Sequence, residues 1–232
     1  MRNWKRGAAA AALGVLVCAS SAAADGPKKW TGAFVGANIG WSTGSVDHAQ
    51  TNGGMTYGPF NYDADGLTAG AVLGYNMQFQ QIVAGIEAEG GYMDLSGEGR
   101  IPSSDPAHHQ ALDVDGGFYG LIAGRLGLAW DRTLIYGKAG YAYLDGDAGQ
   151  KTTKPGYVTH RSGAFQGLAY GAGLEHAMTD RVSVRFEWLR FDFDAVTGSQ
   201  ESVADDPVGY RYTNKTDLST DSFKIGVNYK LN

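Results

Sequence analysis

Eight charged residues stand where charge is least expected. Glu87, Glu89, Arg125, Lys138, Glu175, Arg185, Glu187 and Lys224 each fall inside an otherwise apolar stretch. In GLEHAMTDRVSVRFEWLR (173–190), Glu175, Arg185 and Glu187 alternate with Leu174, Val184, Phe186 and Trp188 across a short turn. A charge withdrawn from water is costly unless it is paired. The eight are balanced in sign, so one mutually paired network is expected of them.

Other side chains offer chemistry more weakly. His48, His108, His109 and His160 carry imidazoles, which ligate haem and metals. Adjacent histidines are not a specific spacing, and no cysteine or Glu-x-x-His pair supports them. They read as solvated loop residues and weak haem candidates, and no cofactor or metal is expected. His160-x-Ser162 sets a base beside a hydroxyl nucleophile. A carboxylate to orient that base has no obvious place, because Glu175 lies a strand length away. Walker A, Rossmann and zinc motifs are absent, so no enzyme is expected.

The elements that carry these residues repeat with a period of two. Apolar residues occupy alternate positions in 33–41, 67–79, 82–88, 122–130, 135–143, 168–174, 182–188 and 223–231. Such alternation over about ten residues is the mark of a strand, which predicts eight strands. Gln80-Gln81, Asp131-Arg132 and Thr179-Asp180-Arg181 make tight turns, whereas 42–65, 96–115, 145–163 and 194–220 are long polar connections. Connections that are short on one side and long on the other characterise an outer-membrane barrel.

Composition agrees. Residues 1–24 combine a basic head (Arg2, Lys5, Arg6), an apolar core over 8–17 and Ala22-Ala23-Ala24 before Asp25, the pattern of a cleaved secretory signal. Residues 25–232 are then the mature domain, and they hold no cysteine because Cys18 lies in the leader. Without its three basic residues, 16 Lys+Arg remain against 24 Asp+Glu, a net −8 that argues against a nucleic-acid partner. After the leader no apolar run is long enough for a transmembrane helix.

A soluble lipocalin-like barrel would turn its apolar face inward, and a membrane barrel would turn it outward. Trp41, Trp130, Tyr141, Tyr143, Trp188 and Tyr229 lie near strand ends, where interfacial girdles belong. The other face is rich in glycine and poor in long charged residues. Both features favour the membrane barrel, with the eight charges in the lumen. Eight strands enclose little more than their own side chains, so a closed barrel is expected and a narrow or gated channel is the alternative.

ANIGW (37–41), GIEAEGGY (85–92), GRLGLAWDRTLIYGKAGYAY (124–143), GLEHAMTDRVSVRFEWLRFDF (173–193) and FKIGVNYKL (223–231) resemble the small outer-membrane barrels of alphaproteobacteria. These form the opacity-like "porin family" group of surface proteins, and the membrane domain of outer-membrane protein A is more distantly similar. The resemblance covers the strands of the mature chain and fails in the outer connections. In the distant relative, lumenal acids and bases form a polar plug. Motif by motif this role falls on Glu87 in GIE, Arg125 in GRLG, Glu175 in GLE and Arg185 in VRFE. Lys224-x-Gly226-x-x-Tyr229-x-Leu231 resembles the carboxy-terminal signal read by the barrel-assembly machinery, although Leu231 replaces the usual final aromatic and Asn232 extends past it.

The resemblance implies an all-β, up-and-down transmembrane barrel in the outer membrane, with periplasmic termini and variable outer loops. The strands obey the barrel rule while chemistry-bearing clusters are missing, so a structural surface protein is expected, with membrane lipids, lipopolysaccharide and the assembly machinery as partners. Some relatives bind haem, and some eight-stranded barrels deacylate lipid A with Ser and His. These are alternatives, and the enzyme is the weaker because the third catalytic member is missing. At the outer rim Arg190, with Lys151, Lys154 and Arg161, is expected either to reach lipopolysaccharide phosphates or, for Arg190, to pair with Asp192.

Overall fold

The computed structural model describes residues 29–52, 54–101, 110–152, 160–201 and 211–231. The expected leader, 1–24, lies outside these residues. Among the described residues nine strands are present: β1 (Gly32–Asn52), β2 (Met55–Phe79), β3 (Ile82–Met93), β4 (Ser96–Ile101), β5 (Gln110–Trp130), β6 (Thr133–Thr152), β7 (His160–Ala177), β8 (Val182–Glu201) and β9 (Arg211–Lys230). All pairings are antiparallel, and β9 pairs with β1 to close the ring.

The expectation of eight strands is corrected to nine strands in eight places. β3 and β4 share one place, because both pair with β2 on one side and β5 on the other. The interruption falls at Asp94 and Leu95, whose strand-like bonds persist: Asp94 N donates to Leu67 O (2.8 Å), and Leu95 O accepts from Gly116 N (2.7 Å).

Closure needs strand tilt. Directly paired residues can be followed once round the ring from Tyr62 through Val46, Leu218, Phe193, Gly167, Ala142, Leu121 and Glu89. The circuit returns to β2 at Val72, ten residues from its start. With a rise of about 3.3 Å and a strand spacing of about 4.8 Å, that stagger tilts the strands by about 40°. The tight turns are held locally. Gln80 (φ 55°) and Asp131 (φ 53°) take left-handed conformations that suit the twist of a hairpin. Thr179 Oγ1 accepts from Val182 N (2.9 Å) in the third turn.

Outward positions in the lower barrel are apolar and exposed, among them Val35, Leu73, Ile86, Ile122, Leu126, Ile135, Leu174, Phe186 and Ile225. Phe79, Trp130 and Tyr229 edge this band by the turns, and Trp41, Tyr92, Phe118, Tyr143 and Trp188 edge it at the far side. Lipid is the solvent that matches such a surface, and a closed ring leaves no unpaired edge within it.

The strands do not stop at the upper girdle. A membrane strand needs about 9–11 residues, whereas β2 has 25 and β1 has 21. The polar stretches expected to be loops are largely strand, with the hairpin of β1 and β2 paired to Asn52↔Met55. The two faces exchange character there. Thr43, Ser45, Asp47, Asp63, Asp65, Asp145 and Asp147 point outward and are exposed, while Val46, Tyr62, Ala64, Leu112, Val114, Leu144, Phe165, Phe193 and Leu218 fill the interior. Above the bilayer the outside meets water, so the apolar face turns inward as in a soluble barrel.

Irregularities mark this changeover. Register shifts fall between Asp115 and Phe118 in β5, between Leu144 and Asp147 in β6 and between Phe193 and Val196 in β8. Ala164 in β7 takes a φ of 55°. An extra residue in one strand moves the following side chains to the opposite face. Inward positions are accordingly odd-numbered from Tyr119 to Arg125 but even-numbered at Leu112 and Val114.

Candidate functional site

The interior holds three layers. The lowest is a small apolar cluster of Trp30, Val83, Ala129, Leu134, Tyr136 and Ala177. Trp30 precedes the first strand and tucks into the mouth with its backbone N bonded to Gln78 Oε1 (2.8 Å). Gly32 makes this entry possible with a φ of 137°, which glycine adopts freely. The uppermost layer is the apolar interior of the extension, from Tyr119 and Leu121 up to Tyr62 and Leu112.

The middle layer is charged. Glu87, Glu89, Arg125, Lys138, Glu175, Arg185, Glu187 and Lys224 all point inward, and none is more than 4% exposed. They come from β3, β5, β6, β7, β8 and β9, so sequence-distant acids and bases meet across the lumen. Lys138 Nζ lies at the centre of three carboxylates: it bonds Glu87 Oε1, reaches Glu187 Oε1 at 3.1 Å and Glu89 Oε2 at 3.5 Å. Lys224 Nζ donates to Glu89 Oε1 at 2.6 Å. Arg125 Nη1 donates to Glu175 Oε2 at 3.1 Å and lies 3.7 Å from Glu87 Oε2. Arg185 is more loosely placed, with its nitrogens 3.6 Å from Glu87, 3.6 Å from Glu187 and 3.8 Å from Glu89.

Neutral side chains complete the network, and sequence reasoning did not name them. Tyr119 OH donates to Glu89 Oε1 (2.6 Å) and Tyr136 OH to Glu187 Oε1 (2.7 Å). Asn38 Nδ2 donates to Glu89 Oε1 (3.2 Å), and Asn228 Nδ2 and the Ser183 hydroxyl both bond Glu175 Oε1. Asn76 Oδ1 accepts from Arg125 Nε at 2.8 Å. The available signal was parity: Tyr119, Tyr136, Ser183 and Asn228 share the face of a lumenal charge on their own strand, and Asn38 and Asn76 alternate with the outward apolar residues of β1 and β2. Aromatic faces cover the cations, with Arg125 4.6 Å from the Phe34 ring centroid and Lys224 Nζ 4.8 Å from that of Tyr119. Gly226 clears space for Arg185: a Cβ there would stand 2.8 Å from Ala37 O and 3.1 Å from Arg185 Nε.

Glu87, Glu89 and Glu187 could in principle hold a metal, since one oxygen from each lies within 4.8 Å of the others. Lys138 Nζ already touches all three. Its ammonium neutralises the carboxylates that a divalent ion would need, so the donor set suits an internal cation.

The network occupies only the middle of the lumen. Apolar layers close it above and below. The cause is the extension: beyond the bilayer, inward positions must be apolar to bury surface from water.

The remaining expected sites are placed as follows. His48 is not a solvated loop residue but is buried inside the extension, where its Nδ1 lies 3.0 Å from Thr216 Oγ1. Burial lowers the pKa of this imidazole. His160 opens β7, while His108 and His109 lie outside the described residues. Arg190 Nε bonds Asp192 Oδ1 and its Nη1 bonds Asp221 Oδ2, both at 2.9 Å. The pairing with Asp192 that stood as the alternative to a lipopolysaccharide contact is therefore made, and Asp221 adds to it. Lys151 and Arg161 lie on β6 and β7, and Lys154 lies outside the described residues. Lys224 and Gly226 face the lumen from β9, whereas Tyr229 and Leu231 face outward, and Leu231 N bonds Ala33 O at 2.9 Å.

The sequence pattern of one protein family, the outer membrane protein beta-barrel domain, matches residues 9–230. The chain belongs to this family. It is similar to the 31 kDa outer-membrane immunogenic protein of Brucella melitensis, 25% identical over 211 residues that span 87% of this chain and 84% of that one. In fold it is similar to the outer membrane protein OprG of Pseudomonas aeruginosa, with a TM-score of 0.55 and 13% identity over 88% of this chain and 98% of that one. The outer membrane protease OmpT of Escherichia coli is also similar in fold, with a TM-score of 0.50 and 12% identity over 91% of this chain and all (100%) of that one. At such identities the two structures show the architecture alone. This is an outer-membrane β-barrel, with the apolar band in lipid and the long extension outside it.

Proposed function

We propose that this barrel is a structural surface protein, closed to solutes, that anchors an extracellular sheet to the outer membrane. One observation carries the reading: a balanced, buried charge network is stacked between two apolar layers. An ion crossing the lumen would have to pass apolar packing twice and displace paired charges once. Each step costs several kcal/mol, on the order of a buried ion's desolvation. A relative described as an immunogenic outer-membrane protein supports surface exposure.

Catalysis is not part of this reading. The chain shares its architecture with a protease, but one fold carries many functions and only a site decides among them. Bilayer lipids and lipopolysaccharide around the apolar band, and the assembly machinery acting on Lys224, Gly226, Tyr229 and Leu231, are the partners this role requires. Planar-bilayer recording of the purified barrel tests it. Silence at up to 100 mV is expected, and reproducible unitary conductance overturns closure.

A further inference from the structure

The barrel wall is not continuous above the membrane. β7 pairs with β8 only from Ala177↔Ser183 up to Gly167↔Phe193. Both strands continue, β7 to His160 and β8 to Glu201, but among the described residues no ladder pair joins them there. Each instead keeps its other neighbour. β7 pairs with β6 out to Gln150↔His160, and β8 pairs with β9 out to Glu201↔Arg211. A second seam separates β2 from β4, whose pairing is confined to Ala64↔Gly97 and Asp65↔Ser96. The extension is therefore two four-stranded leaves, β8-β9-β1-β2 and β4-β5-β6-β7.

Each seam exposes two sheet edges, and an edge is a template for another strand. The β2 edge is blunted, because Pro59 lacks an N–H and Gly58 takes a φ of 108°. The β8 edge from Val196 onward contains no proline and stays in register with β9. Inside the seam, backbone bonding is replaced by rings: Phe165 of β7 lies 6.2 Å from Phe193 of β8, which stacks on Phe191 at 5.9 Å. The edge is thus held in place from within, and among the described residues no strand pairs with it beyond Phe193.

Charge indicates what fits. Asp145 and Asp147 flank the seam from β6, and Asp192, Asp194 and Asp217 flank it from β8 and β9. Asp192 is already paired with Arg190 and Asp217 with Lys215, so the acid surplus is that of Asp145, Asp147 and Asp194 at the base of the seam, whereas Lys151, Arg161 and Arg211 stand on the same strands higher up. We infer that the seam between β7 and β8 is a docking site for an extended, basic peptide segment, which adds a strand to the free β8 edge. Main-chain bonds supply the affinity, and the flanking carboxylates select the charge. A second copy in the same membrane is the poorer occupant, since β7 of one copy against β8 of another is a head-to-tail contact that cannot close as a two-fold dimer. The inference needs only the outward orientation of the extension and is independent of conductance.

The test uses the full barrel in lipid nanodiscs with three blocked nonapeptides: one alternating Lys and Val, one alternating Glu and Val, and the Lys peptide N-methylated along one edge. The Lys peptide should bind at least about tenfold more tightly than either of the others. It should also slow amide hydrogen exchange at alternate residues within 194–201. Asp145→Asn/Asp147→Asn/Asp194→Asn should weaken it without altering heat-modifiable gel migration. Equal binding of the N-methylated peptide would reduce the effect to ionic adsorption and overturn the proposal. So would protection elsewhere, no protection, or protection that grows with protein concentration alone, the last pointing to a second copy.

Discussion

Lys224 Nζ and Glu89 Oε1 lie 2.6 Å apart although 135 residues separate them in sequence. Lys224 stands on β9 and Glu89 on β3, strands that do not pair, so the bond crosses the lumen. Both groups are buried, and Tyr119 bridges them with bonds to each. The barrel is tied shut through its middle as well as round its wall.

Removing one partner of this pair should cost more than removing both. Lys224→Met leaves Glu89 short of a cation and is expected to destabilise by about 3–5 kcal/mol. Lys224→Met/Glu89→Gln should recover a part of that loss. Urea unfolding in lipid vesicles measures both, and strictly additive losses would show that the pair does not act as a unit.

The exchange of faces at the upper girdle makes identical substitutions differ by height. Ile122→Arg places a charge on the lipid face and should cost about 2–4 kcal/mol. Ser45→Arg, outward in the extension, should stay within about 0.5 kcal/mol. Folding yields in vesicles compare the two, and equal penalties would put the bilayer boundary in the wrong place.

The outer apolar layer should be separable from the membrane barrel. Phe193→Ala removes a ring packed between Phe165 and Phe191 and is expected to cost about 3–5 kcal/mol. Limited proteolysis should then cut within 194–201 while the heat-modifiable core survives. Loss of the whole barrel at the same protease dose would mean that the two layers unfold together.

His48 should make the extension acid-sensitive. Its folded-state pKa is lowered by burial, so the unfolded state binds the proton more readily. Stability is then fully present above the ordinary imidazole value of about 6.5 and falls as the pH drops through it. Proteolysis of the extension at pH 5 against pH 7.5 reads this. His48→Gln should flatten the difference, and an unchanged pH profile in that variant would place the sensitivity elsewhere.

The sequence by itself determined the barrel, because a period of two leaves each residue one of two faces. Glu175, Arg185 and Glu187 among Leu174, Phe186 and Trp188 could be consigned to the lumen before any coordinates, and tight turns at Gln80, Asp131 and Thr179 set the hairpins. Which face met lipid was legible from glycine and aromatic placement. The pairings were not. That Lys138 would sit among Glu87, Glu89 and Glu187, or that Tyr119 would join Lys224 to Glu89, depends on the ten-residue stagger of the closed ring. Stagger is a property of all the strands together, and no local pattern encodes it. Tertiary structure also decided the polar connections. Stretches such as 42–65 look like loops because their outward residues are aspartate, serine and threonine, and because bulges in β5 and β8 break the alternation of others. Only the strand pairing shows that Val46, Tyr62 and Leu218 lie side by side on the inner face of the extension, where leaving water rather than entering lipid drives their burial.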